Sequence, residues 1–164
     1  MAIWQLKFSL VPVSGLRKHI KESIDILPEY RSKMIDSMER ELVESPNYWD
    51  GLDNLMKAHV GELSQLLPAR SSWSSDASMY GESDGDSIEI WEDDIDCAID
   101  VRNINAQFIK SILEIALKMD CLLVIHDSGK LIEPNITRLA LALEDSNAAK
   151  FLSDPVSFLK RNTN

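Results

Sequence analysis

Acidic side chains crowd one part of this sequence, and they are the first candidates for chemistry. Residues 71–101 contain ten of the 27 acidic residues and no Lys or Arg. The rest of the 164-residue chain is neutral, so the whole net charge of −10 comes from this segment. Such a charge attracts basic proteins and repels the phosphates of nucleic acids. We therefore expect a basic protein partner and no nucleic acid; the alternative is that the acids only keep an exposed hairpin soluble.

Metal binding is the next chemistry that clustered carboxylates can perform. In the segment Glu82-Ser-Asp-Gly-Asp86, aligning Gly85 with the glycine of an EF-hand puts Tyr80 and Trp91 at the two terminal ligand positions, where carboxylates are needed. The three histidines are isolated in sequence, and no zinc motif occurs. We predict no metal site, with a looser divalent-ion site at Asp84 and Asp86 as the alternative.

Other catalytic motifs are missing from the sequence. It contains no glycine-rich phosphate loop and no GxSxG, so neither a nucleotide cofactor nor a serine nucleophile is predicted. We expect His126, beside Asp127, to be a side chain at the end of a strand rather than part of a catalytic triad. We also expect Cys97 and Cys121 to be buried, reduced thiols. The sequence therefore predicts no catalytic residues and no cofactor.

Tryptophans are the remaining candidates for a binding site, because this side chain frequently anchors protein interfaces. Trp4 alternates with core positions and is expected to be packed. Trp49, Trp73 and Trp91 lie at a helix start, in a Ser-rich loop and on an acidic strand, respectively. We expect each of these three side chains to cover a seam of the core or a loop; the alternative is that the three line one groove.

Hydrophobic periodicity predicts the elements that position these residues in the first half of the chain. Residues 3–11 alternate as in a half-buried strand. Apolar residues at helical spacing then predict three helices: from a cap at Ser14 to a stop at Pro28, from Tyr30 to Leu42, and over residues 50–67.

The second half begins with an acidic hairpin. Asp84-Gly85 favours a tight turn that joins strands near 77–82 and 87–92, followed by a strand over 95–101. Alternation places an acidic face in water, made of Glu89, Trp91, Asp96 and Asp100. Further elements are predicted as a helix after Asn105, strands at 121–125 and 131–133, a helix after Asn135, and a short final helix that begins at Asp154-Pro155.

These elements predict an α+β fold. We expect one domain over 1–164, with the helical segment 15–67 inserted after the first strand. We expect this domain to be a two-layer sandwich with a mostly antiparallel sheet, a βαββαβ core and additional helices mainly on one face. Apolar runs are too short to span a membrane, and the start has no basic leader, so the expected location is the cytoplasm.

Short motifs run through residues 73–160. They are Trp73-Ser-Ser-Asp76, Tyr80-Gly81, Asp84-Gly-Asp86, Ile88-x-Ile-Trp91, Ile99-Asp-Val-Arg102, Asp120-Cys-Leu-Leu-Val124, Ile132-Glu-Pro134, Ser146-x-Ala148 and Phe151-x-x-Asp154-Pro-x-x-Phe158-Leu159. With them the chain resembles an uncharacterised family of small, acidic bacterial cytosolic proteins, which in turn is similar to the immunity proteins that bacteria encode beside polymorphic or contact-delivered toxins. The resemblance implies binding rather than catalysis, and it does not extend to residues 15–67.

We therefore expect a non-enzymatic protein that neutralises a basic toxin domain with its acidic face. The residues expected to bind the partner are Trp73, Asp84, Asp86, Glu89, Trp91, Asp96 and Asp100. Two alternatives stay open at this point. One is a metal-dependent hydrolase that uses the hairpin carboxylates. The other is a structural or adaptor subunit, such as a homodimer, whose helical segment makes the contact.

Overall fold

A single antiparallel sheet of seven strands organises the part of the chain that this computed structural model describes, residues 2–31 and 45–162. The strands are β1 (Gln5–Pro12), β2 (Ala69–Arg70), β3 (Ser78–Gly81), β4 (Ser87–Ile90), β5 (Ile95–Asp100), β6 (Cys121–Ile125) and β7 (Leu131–Ile132). The helices are α1 (Val13–His19), α2 (Pro28–Arg31), α3 (Asp53–Leu63), α4 (Ala106–Lys118), α5 (Ile136–Asp145), α6 (Asn147–Ser153) and α7 (Pro155–Asn162). The predicted α+β class is confirmed.

The sheet order is β2-β3-β4-β5-β1-β6-β7, with β1 between β5 and β6. The four strands β6-β1-β5-β4, together with the helices between β1 and β4 and the helix α4, have the βαββαβ arrangement. The strands β3 and β2 extend the sheet beyond β4, and the short strand β7 extends it beyond β6. The acidic hairpin is therefore part of the main sheet.

Alternation along β1 divides the molecule into two apolar clusters. Leu6, Phe8 and Leu10 are fully buried and point into the larger cluster, together with side chains of α3, α4 and α5. Val11 points the other way and packs with Val124 in a smaller cluster, which the segment before residue 31 and Tyr48 cover. The rest of this second face is polar, and it carries the residues of the predicted binding site that lie on β4 and β5.

Local capping explains why the later helices begin where the sequence predicts. The side chain of Asn105 accepts a hydrogen bond from Phe108 N–H at 3.1 Å, and that of Asn135 accepts one from Arg138 N–H at 2.9 Å. Asp154 likewise accepts from Ser157 N–H at 3.0 Å at the start of α7. Each cap is a side chain within three residues of its donor, so the prediction needed no tertiary information.

The helices between β1 and β2 differ from the prediction. The first helix ends at His19, and the chain then runs extended, with Leu27 N–H donating to Gly129 O at 3.0 Å. Pro28 begins α2 instead of ending a helix, because its fixed φ and missing N–H suit the first turn. The helix expected over 50–67 is shorter, at 53–63. The helix predicted from Tyr30 to Leu42 lies mainly outside the described residues.

None of the helices in ranges 2–31 and 45–162 is both long and apolar enough to cross a membrane.

Candidate functional site

The tip of the β3–β4 hairpin is tied to the start of β1 through its backbone oxygens. Trp4 Nε1 donates to Asp84 O at 2.7 Å, and Gln5 Nε2 donates to Gly85 O at 2.6 Å. The guanidinium of Arg102 donates to Asp84 O at 3.2 Å. The carboxylate of Asp84 stays exposed, so this predicted site residue lies on a fixed, accessible turn.

The carboxylates of Asp86 and Asp100 accept hydrogen bonds within the protein next to this hairpin. Asp100 N–H donates to Asp86 Oδ1 at 2.8 Å, and burial raises the pKa of Asp86. Asp100 is only 9% exposed, and its carboxylate accepts from Arg102 Nε at 2.9 Å and from the terminal nitrogen at 2.8 Å. Hydrogen bonding to Arg102 lowers the pKa of Asp100. The prediction that Asp100 faces water is therefore wrong, because Arg102 neutralises this carboxylate within the fold.

Glu89 and Asp96 lie opposite each other on β4 and β5, both half-buried. Two carboxylates in this register repel one another unless each has its own donor. Glu89 accepts from Arg70 at 3.2 Å, and Asp96 Oδ1 accepts from Ser9 Oγ at 2.5 Å. Both predicted site residues are thus engaged with neighbours in the sheet.

Ser9, Asp96 and His126 form a polar cluster across β1, β5 and the end of β6. Ser9 Oγ lies 2.7 Å from His126 Nε2, and the same nitrogen is 3.4 Å from Asp96 Oδ1. Burial alone would raise the pKa of Asp96, but hydrogen bonds from His126 and Ser9 outweigh burial and lower the pKa. With Asp96 ionised, the Ser9 hydroxyl donates to the carboxylate and His126 Nε2–H donates to Ser9 Oγ.

This cluster does not have the geometry of a serine hydrolase. In a catalytic triad the carboxylate holds Nδ1–H, so that Nε2 can take the serine proton. Here the serine and the carboxylate both contact Nε2, so this carboxylate does not hold Nδ1–H as a triad requires. The prediction that His126 lies at a strand end is correct, but its contact with Ser9 was not foreseen. The two residues are 117 positions apart, and neither flanks a motif.

Asp94 lies in the turn between β4 and β5, close to the cluster. Burial, followed by the negative charge of Asp96, raises the pKa of Asp94 to about 7. Its Oδ1 accepts from Ile95 N–H at 2.9 Å, and its backbone oxygen accepts from Trp91 N–H at 2.8 Å. The turn that carries Trp91 therefore contains a carboxyl group that titrates near neutral pH.

Trp73 and Trp91 meet at the surface. Their ring centroids are 5.2 Å apart and the ring planes are tilted by 57°, while 74% of Trp73 remains exposed. Trp49 is not part of this pair: it is 3% exposed, and its Nε1 donates to Leu10 O at 3.1 Å inside the protein. The alternative that the three tryptophans line one groove is thus wrong for Trp49.

A groove of about 500 Å³ runs beside Trp91. Five carboxylates line it, together with Asn47 and Gly51: Asp50, Asp53, Asp76, Glu92 and Asp93. Asp50 is bonded to Lys18 at 2.7 Å, whereas the other four form no salt bridge with any described residue. We call the two rings and these carboxylates the Trp73–Trp91 surface. Asp50 and Asp53 precede or begin α3, far from the acidic segment in sequence, and sequence reasoning missed them for this reason.

Metal chemistry and thiol chemistry gain no support from the described part of the chain. No group of three or more His, Cys, Asp or Glu side chains there could hold a metal ion. Cys97 and Cys121 are free and buried, as the sequence predicts, and burial raises the pKa of Cys121 to about 12.

Comparison with known proteins gives no match to any family model, to any curated protein or to any solved structure.

Proposed function

We propose that this protein is a non-enzymatic binding protein that recognises a basic protein partner through the Trp73–Trp91 surface. The observation that carries the proposal is that Trp73 is 74% exposed while its ring contacts the tilted ring of Trp91, which lines a groove of carboxylates. A large exposed aromatic pair is costly in water and is typical of interface anchors. The surrounding charge favours a basic partner and speeds its approach.

The proposed surface is displaced from the face that the alternation of β4 and β5 predicted. Of the seven residues predicted to bind the partner, Trp73 and Trp91 lie at its centre. Asp84 is exposed at the hairpin tip and can add to the attractive field. The other four have internal hydrogen-bonding partners: Asp86, Glu89, Asp96 and Asp100. Their bonds stabilise the scaffold, and we assign the direct contacts to Asp76, Glu92 and Asp93 instead.

We further infer that the partner is a toxin domain and that the protein acts as its immunity protein in the cytoplasm. The resemblance to bacterial immunity proteins supports this assignment, as does the net charge of −10. An acidic surface that occludes a basic toxin needs affinity and speed but no catalytic group. The cytoplasmic location follows from the role, since the inhibitor must meet the toxin inside the cell that it protects.

A pull-down from a lysate of the source organism tests this function. We expect the wild-type protein to retain one basic protein, with less retained at high salt because charge contributes to the binding. Trp73→Ala combined with Asp93→Lys should abolish retention. Leu117→Ala is the control, because Leu117 is 63% exposed on α4 and does not line the groove. If the double variant retains the same protein as the wild type, the surface assignment is wrong.

A purified partner then separates inhibition from mere association. If the captured protein is toxic when expressed alone, co-expression of the wild-type protein should restore growth, and co-expression of the double variant should not. Restoration by both proteins would contradict the proposed site. A captured protein without toxicity would contradict the immunity role and leave only the binding function.

A further inference from the structure

A tryptophan, an arginine and a carboxylate already form one compact unit within this chain. The guanidinium carbon of Arg102 lies 4.1 Å from the ring centroid of Trp4. The same guanidinium makes two hydrogen bonds to Asp100, at 2.9 and 2.8 Å, and one to Asp84 O. A guanidinium that lies on an aromatic ring can at the same time donate two hydrogen bonds, from two of its nitrogens, to a carboxylate in its own plane. An ammonium group cannot do this, because it has a single nitrogen.

The Trp73–Trp91 surface contains two of these three components. Aromatic rings and carboxylates are both present, with Trp91, Asp76 and Asp93 around one groove. Among residues 2–31 and 45–162, no Lys or Arg lines the groove, and Lys18 is bonded to one of its carboxylates, Asp50. Trp73 adds an open aromatic face, since most of its surface is exposed.

We propose that the Trp73–Trp91 surface binds an arginine side chain of the partner, with the guanidinium stacked on the indole pair and bonded to a groove carboxylate. The inference rests on the proposed function, and it adds the chemical identity of the partner's contact residue. The two rings are in contact with each other, but Trp73 is 74% exposed, so a planar group can stack on the open face of this ring. Stacking and two parallel hydrogen bonds both favour arginine over lysine.

The tryptophan indole groups give this site a built-in spectroscopic probe. The sequence has four tryptophans, so four indole N–H resonances are expected in a ¹⁵N correlation spectrum. Trp4 and Trp49 use their indole N–H groups in intramolecular hydrogen bonds, to Asp84 O and Leu10 O. Their resonances serve as internal controls, because a ligand at the surface should leave them in place.

The experiment is a titration of the full chain with three capped peptides that differ only in carrying two arginines, two lysines or two citrullines. Citrulline keeps the planar shape of arginine without the charge. We expect the arginine peptide to shift the Trp73 and Trp91 indole resonances with a Kd at least fivefold lower than that of the lysine peptide. The citrulline peptide should produce little shift. Trp73→Ala should lower the affinity for the arginine peptide to that for the lysine peptide, whereas Leu117→Ala should leave the affinity for the arginine peptide unchanged.

Equal affinities for the arginine and lysine peptides would overturn the inference, as would the absence of any indole shift at millimolar arginine peptide. A shift of the Trp4 indole resonance in place of the Trp73 and Trp91 resonances would also overturn the inference. It would show that the peptide binds at Trp4 and displaces Arg102 from that ring. None of these results contradicts the proposed function, because the pull-down tests that function separately with a whole partner protein. The two failures are therefore distinguishable.

Discussion

Ser9 Oγ lies 2.5 Å from Asp96 Oδ1, and this hydrogen bond joins the central strand β1 to β5 on the polar face of the sheet. Ser9 is 9% exposed, so water cannot readily replace its hydroxyl. The bond supplies a donor to a carboxylate that faces the like-charged Glu89 across the strands. Two acidic strands can pair here because each carboxylate receives a donor from outside the pair.

Replacing Ser9 by Ala tests this role. The variant leaves a half-buried carboxylate with one donor fewer, and we expect the free energy of unfolding to fall by about 1–3 kcal/mol. Urea denaturation monitored by circular dichroism measures the change. Ser23→Ala is the matched control: Ser23 is exposed, and its replacement should alter stability by no more than about 0.5 kcal/mol. Equal stabilities of the two variants would show that the bond contributes nothing.

Asp94 makes the stability depend on pH in a definite direction. Its pKa is raised to about 7 in the folded protein, above the value of about 3.9 for an unfolded chain. Between these values the folded state binds more protons than the unfolded state, so the contribution of Asp94 falls as pH rises from about 4 to 7. Asp94→Asn removes this dependence and keeps an oxygen for Ile95 N–H.

The comparison of Asp94→Asn with the wild type is therefore made at several pH values. The stability of the variant relative to the wild type should increase between about pH 4 and 7 and then level off, reaching a gain of about 1 kcal/mol or more. Chemical denaturation at fixed pH gives the difference at each point. A gain that is the same at pH 4.5 and pH 8 would mean that Asp94 titrates normally.

Asp96 acts in the opposite sense. Its pKa is lowered, so the stability that it contributes is present above the unfolded value of about 3.9 and is lost as pH falls through the folded pKa. Asp96→Asn should destabilise the protein at pH 7, and the loss should shrink in strong acid. The same denaturation series reports it, and a loss that does not change with pH would contradict an ionised Asp96.

Arg102 should be important for the position of the hairpin tip. Arg102→Ala leaves the buried carboxylate of Asp100 without its cation and removes a donor from Asp84 O. We expect a larger loss of stability than in the control variant below and faster hydrogen exchange of Gly85 N–H, with Arg102→Lys intermediate. Lys118→Ala breaks an exposed salt bridge between Lys118 on α4 and Glu62 on α3, and it serves as the control. Similar losses in the two alanine variants would contradict this account.

Two glycines with nearly equal backbone angles separate conformational strain from crowding. Gly51 has φ +78° with open space around it, whereas Gly81 has φ +79° and a Cβ there would lie 2.1 Å from Asp86 O. Gly51→Ala should cost about 1–2 kcal/mol from the left-handed conformation alone. Gly81→Ala should cost about 2 kcal/mol more, because the hairpin backbone must move. Thermal denaturation of both variants gives the difference, and equal costs would show that the hairpin yields freely.

Local signals explain which parts of the fold were predictable from sequence. The cap at Asn105 and the hairpin around Asp84-Gly85 depend on residues within a few positions of each other, and both are present. The hairpin loop is wider than the predicted tight turn, because it spans residues 82–86 and the positive φ falls on Gly81. Asp100 is bonded to Arg102, which also lies over the ring of Trp4. Alternation along a strand does not reveal these contacts. The contact of Ser9 with His126 spans 117 positions. Period-two alternation assigns a residue to a face of the sheet, but it does not show what covers that face.

The central position of β1 has a consequence for how the protein is made. This strand is synthesised before both of its neighbours in the sheet, which follow much later: Asp96 is 87 positions after Ser9, and His126 is 117 positions after it. Translation at about 5–20 residues per second leaves the apolar side chains of β1 without their sheet partners for several seconds. A nascent chain of this protein should therefore depend on chaperones until β6 emerges, and truncation before residue 121 should yield an aggregating fragment.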